Sequence, residues 1–249
     1  MRTKAIWLSD LPFDVEGVDS VTFYSCMKKD DLDGFKREDR STIVIDLTKG
    51  IDHIWNDINS KCRADIRKAE KEPIETNIDD NYENFIELNR RFRNIKGLDS
   101  NEFSLDYMKK YCTLLSAKFD GKTVAGILFI SDGTRMRGLI AANARLDSPM
   151  AKQANIAKIN RLLWWEAIRY GREKGISLFD MGGYYTGPEP NIQLEGVNEF
   201  KRRFGGTVIG DYYYTKNYTY KVRLAKETLS LIQWVKRPFN KYASHKVDP

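Results

Sequence analysis

Lys201 is the side chain of this sequence best placed to stabilise negative charge in a reaction. It follows Phe200 near the end of a short helix predicted over residues 197–203, and a tight Gly-Gly turn comes next. A lysine held in this way can stabilise an oxyanion or a phosphate. Phe200 and Phe204 are four residues apart, a spacing more typical of core positions than of platforms that stack on a ligand.

A second candidate group lies where a short strand, predicted over residues 176–180, opens into a glycine-rich loop. Asp180 ends that strand, and Gly182 and Gly183 follow it. Ligands of α/β sheets bind outside the carboxyl ends of strands, so Asp180 could orient or deprotonate a substrate amine there. The alternative is a turn aspartate that caps the following glycines.

A third group lies on a helix predicted over residues 52–71. Arg63 and Arg67 are four residues apart and therefore share a face of that helix. Together they could clamp a phosphate or a carboxylate through charge-assisted hydrogen bonds. A solvated basic face is the alternative.

Several common catalytic centres have no counterpart in the sequence. It holds two histidines, His53 and His245, and no HExxH, CxxC, EF-hand or P-loop signature. We therefore expect neither a Ser-His-Asp nor a Cys-His centre, and no metal site. A reaction that depends on positioning and electrostatics fits these residues better.

Composition predicts a folded, cytoplasmic protein. The chain has 249 residues, of which 41% are hydrophobic and 12% aromatic, enough to bury a core. No apolar run reaches the roughly 18–20 residues that span a bilayer, and the N-terminal apolar stretch is too short for a secretory signal. The cysteines are Cys26, Cys62 and Cys112, and their odd number and wide spacing argue against a disulfide framework.

The net charge of +6 belongs entirely to the C-terminal part of the chain. Residues 196–249 contain 11 Lys/Arg and 4 Asp/Glu, while residues 1–195 contain 30 and 31. Such a patch attracts the phosphates of a nucleic acid, a nucleotide cofactor or an anionic membrane. A solvated surface with a basic tail is the alternative.

The elements that must position these groups follow from periodicity. Residues 1–40 are interpreted as a short peripheral segment, and residues 41–47 as a strand. Asp-Gly pairs at 120–121 and 132–133 predict two hairpins and hence three antiparallel strands. The predicted elements are, in order, a strand at 41–47, a helix at 52–71, a helix capped by Asp80 or Asn81, a helix capped by Ser104, strands at 116–120, 123–131 and 134–142, a helix at 150–173, a strand at 176–180, a helix at 197–203, a strand at 207–215 and a helix at 224–235.

Three motifs in this order resemble those of the FemAB-like branch of the GNAT acyltransferases. They read Trp55…Lys61-Cys62-Arg63…Ile66-Arg67-Lys68-Ala69, then Asp180-Met181-Gly182-Gly183, then Gly196…Phe200-Lys201…Phe204-Gly205-Gly206. The resemblance covers residues 41–220. It implies an α/β (α+β) fold with a GNAT-like mixed central sheet, an antiparallel meander and helices on both faces. The implied domains are the peripheral segment 1–40, the acyltransferase domain 41–220, and a C-terminal helix with a basic tail at 221–249.

The resemblance also implies an activity and a set of site residues. Members of this family transfer an acyl group onto an amine, and the lysine of the Phe-Lys pair is proposed to stabilise the developing negative charge. Lys201 and Asp180 would then be catalytic. The implied substrate-binding residues are Trp55, Lys61, Arg63, Arg67, Gly182, Gly183, Tyr184, Tyr185 and Phe200, and those for the cofactor are Ser148, Arg202 and Arg203. Asp180, Tyr184 and Tyr185 are the candidates for receiving the proton of the amine.

The expected function is an acyl-CoA-dependent N-acyltransferase that acts on an amine of a cell-envelope or polysaccharide precursor, either a small molecule or a lipid-linked one. A split between the strands near 139–143 and 176–180 would accept the pantetheine arm of CoA. One alternative is an aminoacyl-tRNA-dependent transferase of the peptidoglycan cross-bridge type. Another is a non-catalytic GNAT-like binding module, with peripheral contact to the inner membrane through the basic tail.

Overall fold

The computed structural model describes residues 2–98 and 103–220. The predicted helix at 224–235 and the predicted tail at 221–249 lie outside the described residues. The strands are β1 (Thr3–Trp7), β2 (Ser20–Cys26), β3 (Lys36–Asp46), β4 (Glu75–Ile78), β5 (Cys112–Phe119), β6 (Lys122–Ser131), β7 (Arg135–Asn143), β8 (Leu178–Gly183) and β9 (Thr207–Asn217). The helices are α1 (Ile51–Asp57), α2 (Ser60–Ala69), α3 (Tyr82–Lys96), α4 (Leu105–Tyr111), α5 (Met150–Glu173) and α6 (Ile192–Arg202), with one 3₁₀ turn at Arg145–Asp147.

The chain divides into two compact units, of which the larger is Arg40–Gly210. Its sheet has the strand order β3-β8-β7-β6-β5-β4. The β5-β6-β7 segment is the antiparallel meander that the Asp-Gly turns predicted, and β8 pairs in parallel with β7. A parallel neighbour beside a meander makes the sheet mixed, which confirms the predicted fold class.

Helices cover both faces of this sheet. The ring of Phe85 on α3 lies against Gly126 of β6, where a Cβ would come within 2.4 Å of it. Tyr170 on α5 packs on Phe129 of the same strand, with ring centroids 5.4 Å apart. Residues three apart on a strand point to opposite faces, so α3 and α5 lie on opposite sides of the sheet.

The helix predicted over 52–71 is wrong as a single helix, because the structure has α1 and α2 there. The helical pattern of apolar residues continues across the break, since Ile54, Ile58 and Cys62 are all buried in one core. Asn59 causes the interruption: its side-chain oxygen accepts hydrogen bonds from the backbone N–H of Lys61 and of Cys62 and caps α2. An asparagine that competes for backbone donors favours a new helix start over continuation.

The smaller unit combines the described residues of 1–39 and 211–249. In it β1 pairs in parallel with β2, and β2 pairs antiparallel with β9 from Tyr212 to Asn217. Phe23 and Tyr214, both fully buried, form the centre of its core. The N-terminal segment therefore contains two strands, where the sequence interpretation had only irregular structure.

Candidate active site

A cavity opens in the larger unit where β7 and β8 stop pairing. The parallel pairing runs from Arg135 opposite Leu178 to Arg137 opposite Asp180. Beyond that point, residues of 138–143 and 181–183 line a cavity of about 680 Å³. A bulge at Leu139 turns β7 further, because Phe129 pairs with Gly138 while Leu128 pairs with Ile140. The split was predicted between residues near 139–143 and 176–180. The two strands do part, but residues 178–180 are still paired with β7, so on the β8 side the split begins after Asp180.

The cavity has the size and polarity of a small-molecule site. Its walls are mainly apolar, with a few polar groups that reach it from α3, α5, α6 and the 3₁₀ turn. The side chains that line it from these elements are those of Phe92, Lys96, Arg145, Leu146, Ala157, Asn160, Arg161, Trp164, Ile192, Gln193, Val197, Phe200 and Lys201.

Lys201 lies in the wall of this cavity and is 8% exposed. Its Nζ donates hydrogen bonds to the carbonyl oxygens of Gly182 and Gly183, at 2.9 and 2.7 Å. Burial lowers the pKa of Lys201 to about 8, and the charge of nearby Asp180 only partly offsets that effect. The side chain is thus a pre-oriented ammonium near neutral pH.

Asp180 is part of a buried ion pair and is 5% exposed. One carboxylate oxygen accepts from the Arg137 guanidinium. The other accepts from the Thr42 hydroxyl, and from the backbone N–H of Gly182 at 2.7 Å. These contacts join β3, β7 and β8 at the point where the cavity begins, and both oxygens are occupied by donors.

An aromatic cluster packs against α6, the helix that carries Lys201. The ring centroids of Phe200 and Phe204 are 5.3 Å apart, and both rings contact Trp164 of α5. Phe204 is 1% exposed and belongs to the core, while Phe200 also lines the cavity.

Tyr184 and Tyr185 lie just outside the cavity lining. The backbone N–H of Tyr184 donates to the carbonyl of Ser41 at 2.7 Å. Asn198 on α6 holds the backbone of Tyr185 from both sides, since its side-chain oxygen accepts from the Tyr185 N–H and its amide donates to the Tyr185 carbonyl. The Tyr185 hydroxyl donates to the Glu189 carbonyl at 2.6 Å. These bonds order the loop between β8 and α6.

The predicted residues of the first motif lie outside the lining of this cavity. Arg63 donates to the carbonyls of Trp55, Asn56 and Ile58 at the end of α1. Trp55 packs on Trp165, with ring centroids 4.8 Å apart, and the Arg67 guanidinium lies 5.4 Å from the Trp55 ring centroid. In the structure these side chains stabilise the α1–α2 corner.

Lys61 and the predicted cofactor residues also lie apart from the cavity lining. Lys61 is exposed in the first turn of α2. Ser148 precedes α5, and its carbonyl accepts from the Gln153 side chain. Arg202 and Arg203 both pair with Glu199 and lower its pKa.

The sequence interpretation missed several residues that the structure brings to the site. Arg137 is 4% exposed in the middle of β7, and its signal was a charged residue inside an apolar, alternating strand. Asn160 lines the cavity, and its Oδ1 is buried without a hydrogen-bond partner among the described residues. Lys96 and Arg145 reach the cavity from elements far apart in sequence, which no local pattern reveals.

The described residues show neither a metal site nor a membrane-spanning helix. They contain no group of three or more His, Cys, Asp or Glu side chains placed to hold a metal ion. None of their helices is long and apolar enough to cross a membrane.

Known proteins resemble this chain in structure but do not match it in sequence. No family model matches the chain, and no curated protein matches it. The crystal structure of FemX superposes with a TM-score of 0.63 at 14% identity, over 80% of this chain and 72% of FemX. The C-terminal domain of a putative lysylphosphatidylglycerol synthetase from Agrobacterium fabrum matches with a TM-score of 0.54 at 13% identity, over 87% and 72%. L-PGS from Bacillus licheniformis gives 0.54 at 15% identity, over 82% and 70%.

Identities this low show the fold alone. The mixed sheet, its meander and these likenesses show that the chain has the fold of FemX, in agreement with the FemAB-like fold that the motifs predicted.

Proposed function

We propose that this protein is an N-acyltransferase that moves an acyl group from acyl-CoA to an amine on a cell-envelope or polysaccharide precursor, such as an amino sugar. The observation that carries the proposal is the Lys201 ammonium, held in the wall of the cavity between β7 and β8. We assign the activity to residues 41–220.

The strand split supports a donor with a long arm that contains amide groups. Beyond Arg137 and Asp180 the facing edges of β7 and β8 present backbone groups to the cavity. An extended pantetheine arm can add to such an edge as a peptide strand does. Its amide N–H groups would also suit Asn160 Oδ1, because a buried acceptor without a partner costs free energy until a donor reaches it.

The reaction proposed for this site is direct. The neutral amine attacks the thioester carbonyl carbon, a C–N bond forms, the C–S bond breaks, and the departing CoA thiolate takes up the proton of the amine. Negative charge develops on the carbonyl oxygen during attack. Lys201 has three N–H donors and spends two on Gly182 and Gly183, so the third is left to bind that oxygen.

Asp180 is a positioning residue in this proposal. Its carboxylate neutralises Arg137 and ties β3, β7 and β8 together, which keeps the carbonyls of Gly182 and Gly183 where Lys201 needs them. With both oxygens occupied by donors, it is poorly placed to accept the amine proton.

Calorimetric titration with acetyl-CoA tests the donor. We expect the wild-type protein to bind, and Ala157→Trp to abolish binding by filling the cavity. Ala154→Trp, three residues earlier on α5 and exposed, is the matched control and should bind as the wild type does. A wild-type protein that shows no binding at millimolar acetyl-CoA refutes an acyl-CoA donor.

Turnover tests the role of Lys201. Hydroxylamine serves as a surrogate acceptor, and its hydroxamate product is measured by colour with ferric iron. Removing a single oxyanion donor typically lowers kcat by about 10²–10³, so we expect a loss of that order for Lys201→Met. Lys174→Met changes an exposed lysine at the end of α5 and is the control. Unchanged turnover in Lys201→Met would remove Lys201 from the mechanism.

Transfer of an aminoacyl group is the second candidate. The Agrobacterium fabrum likeness is, by its name, to a synthetase of a lysyl-bearing lipid, and residues 196–249 carry the basic excess that tRNA binding requires. This candidate predicts affinity for aminoacyl-tRNA that falls steeply as salt rises. A flat salt response, or binding no tighter than that of a bulk RNA, counts against it.

A further inference from the structure

The cavity has an exposed apolar rim, formed by Leu146, Ile192 and Val197. Leu146, Ile192 and Val197 line the cavity and are 44%, 86% and 45% exposed. Apolar surface gathered around an open cavity marks an interaction site, whereas single exposed apolar residues are ordinary.

The charged side chains among the described residues that line the cavity are all positive. Of the residues 2–98 and 103–220, four cations line it, namely Lys96, Arg145, Arg161 and Lys201, and no Asp or Glu does. Arg161 lies 3.6 Å from Asp65, but Lys96 and Arg145 have no ion-pair partner among residues 2–98 and 103–220. Exposed apolar groups beside unpaired cations are the combination found where proteins lie on anionic lipid.

We propose that this rim docks on an anionic lipid surface. The rim side chains insert at the level of the headgroups, and Lys96 and Arg145 face the lipid phosphates. A bilayer offers apolar and anionic groups on one continuous surface, which matches the rim and the cavity lining together. The idea extends the proposed function, because a docked cavity would receive an acceptor amine carried by a lipid.

Vesicle co-sedimentation of the full chain tests the surface. With vesicles of phosphatidylglycerol and phosphatidylcholine, we expect Ile192→Gln to weaken partitioning about tenfold, since one large aliphatic side chain is no longer buried. Lys96→Gln and Arg145→Gln should each weaken it about fivefold. Ile78→Gln on β4, 50% exposed and outside the cavity lining, is the matched control and should partition as the wild type does. Vesicles of phosphatidylcholine alone should bind all variants weakly.

A fluorescent label tests insertion independently of affinity. The native cysteines are buried, so an environment-sensitive dye attached to Ile192→Cys reports on the rim alone. We expect its emission to shift to the blue when anionic vesicles are added, and the same dye on Ile78→Cys to stay unchanged.

The proposal is overturned if Ile192→Gln partitions as tightly as the wild type, since another surface, such as residues 221–249, then binds the lipid. It is also overturned if light scattering shows that the rim is covered by a second copy of the chain and vesicles are not bound. Acetyl-CoA titration separates this proposal from the proposed function. If the wild-type protein binds acetyl-CoA but not anionic vesicles, only the docking surface is overturned. If it binds anionic vesicles but not acetyl-CoA, only the acyl-CoA donor is overturned.

Discussion

The pH dependence of the unfolding free energy, compared between the wild type and Lys201→Met, reports whether the Lys201 ammonium is buried. Burial lowers the pKa of Lys201 from 10.5 to about 8 in the folded protein, while the unfolded chain keeps the ordinary value. Between these two values the unfolded state binds more protons than the folded state, so stability increases with pH across this window. Below about pH 8 both states are protonated and the penalty is complete, and above about pH 10.5 it is gone.

The magnitude follows from the width of the window. A pKa difference of this size corresponds to a penalty of about 3 kcal/mol at pH 7, of which about 1 kcal/mol remains at pH 10. The wild type should therefore gain about 2 kcal/mol of unfolding free energy relative to Lys201→Met between pH 7 and pH 10. Other titrating groups are common to both proteins and cancel in this difference.

Urea unfolding followed by tryptophan fluorescence, at one-unit steps from pH 7 to pH 10, measures that difference. Lys174→Met removes an exposed lysine and is the control for the loss of one positive charge. A difference between the wild type and Lys201→Met that does not change with pH would mean that the ammonium is solvated, and the argument for a pre-oriented, desolvated cation would fail.

Further substitutions at three places in the fold separate structural from functional roles. Arg63→Met should lower the unfolding free energy by about 1–2 kcal/mol, because the α1 carbonyls lose a charged donor. Arg137→Met removes the guanidinium that neutralises the buried Asp180 carboxylate and should cost about 3–5 kcal/mol, part of which Asp180→Asn should restore in the double variant. Gly182→Ala should cost about 1–2 kcal/mol, because Gly182 has φ +84° and a Cβ there would lie 3.0 Å from a carbonyl oxygen, whereas Gly183→Ala meets no atom within 4 Å and should be nearly neutral. Denaturant midpoints at constant slope measure all of these changes.

Each of these substitutions has an outcome that contradicts its reasoning. A loss of acetyl-CoA affinity in Arg63→Met without a loss of stability would indicate the phosphate clamp that the sequence suggested. If the variant with both Arg137→Met and Asp180→Asn is no more stable than Arg137→Met, the charge of the Asp180 carboxylate is not the source of the lost unfolding free energy. Equal effects at Gly182 and Gly183 would remove the argument from backbone conformation.

Elements with strong local signals were predicted well. The long helix was expected over 150–173 and is Met150–Glu173, because Pro149 suits a helix start and Gly175, at φ +72°, suits its end. The Asp-Gly turns predicted the meander for the same kind of reason: glycine adopts positive φ at little cost. Where two local preferences compete, as at Asn59, the apolar periodicity indicated one helix and the cap produced two.

The candidate site was predicted unevenly. The Gly182-Gly183 and Phe200-Lys201 motifs do line the cavity, because each motif brings its residues there within one short segment. Trp55, Arg63 and Arg67 belong to a motif as clear in sequence as the other two, but their side chains lie at the α1–α2 corner. The direction in which a helix face points depends on its packing partners, which the motif does not contain. The sequence gives no indication that Arg137 pairs with Asp180, because this contact requires β7 to lie beside β8.

The sequence alone determined the long helix, the meander and the fold class, because these depend on turn residues and periodicity, and it predicted Lys201 as the residue that stabilises negative charge. Only the tertiary structure decided that Arg137 neutralises Asp180 and that β7 and β8 part beyond this pair. It also decided that the described residues lining this cavity include four cations and no acid. These features join residues from α3, β7, α5, β8 and α6, and contacts at such separations depend on strand register and helix packing, which a linear pattern does not contain.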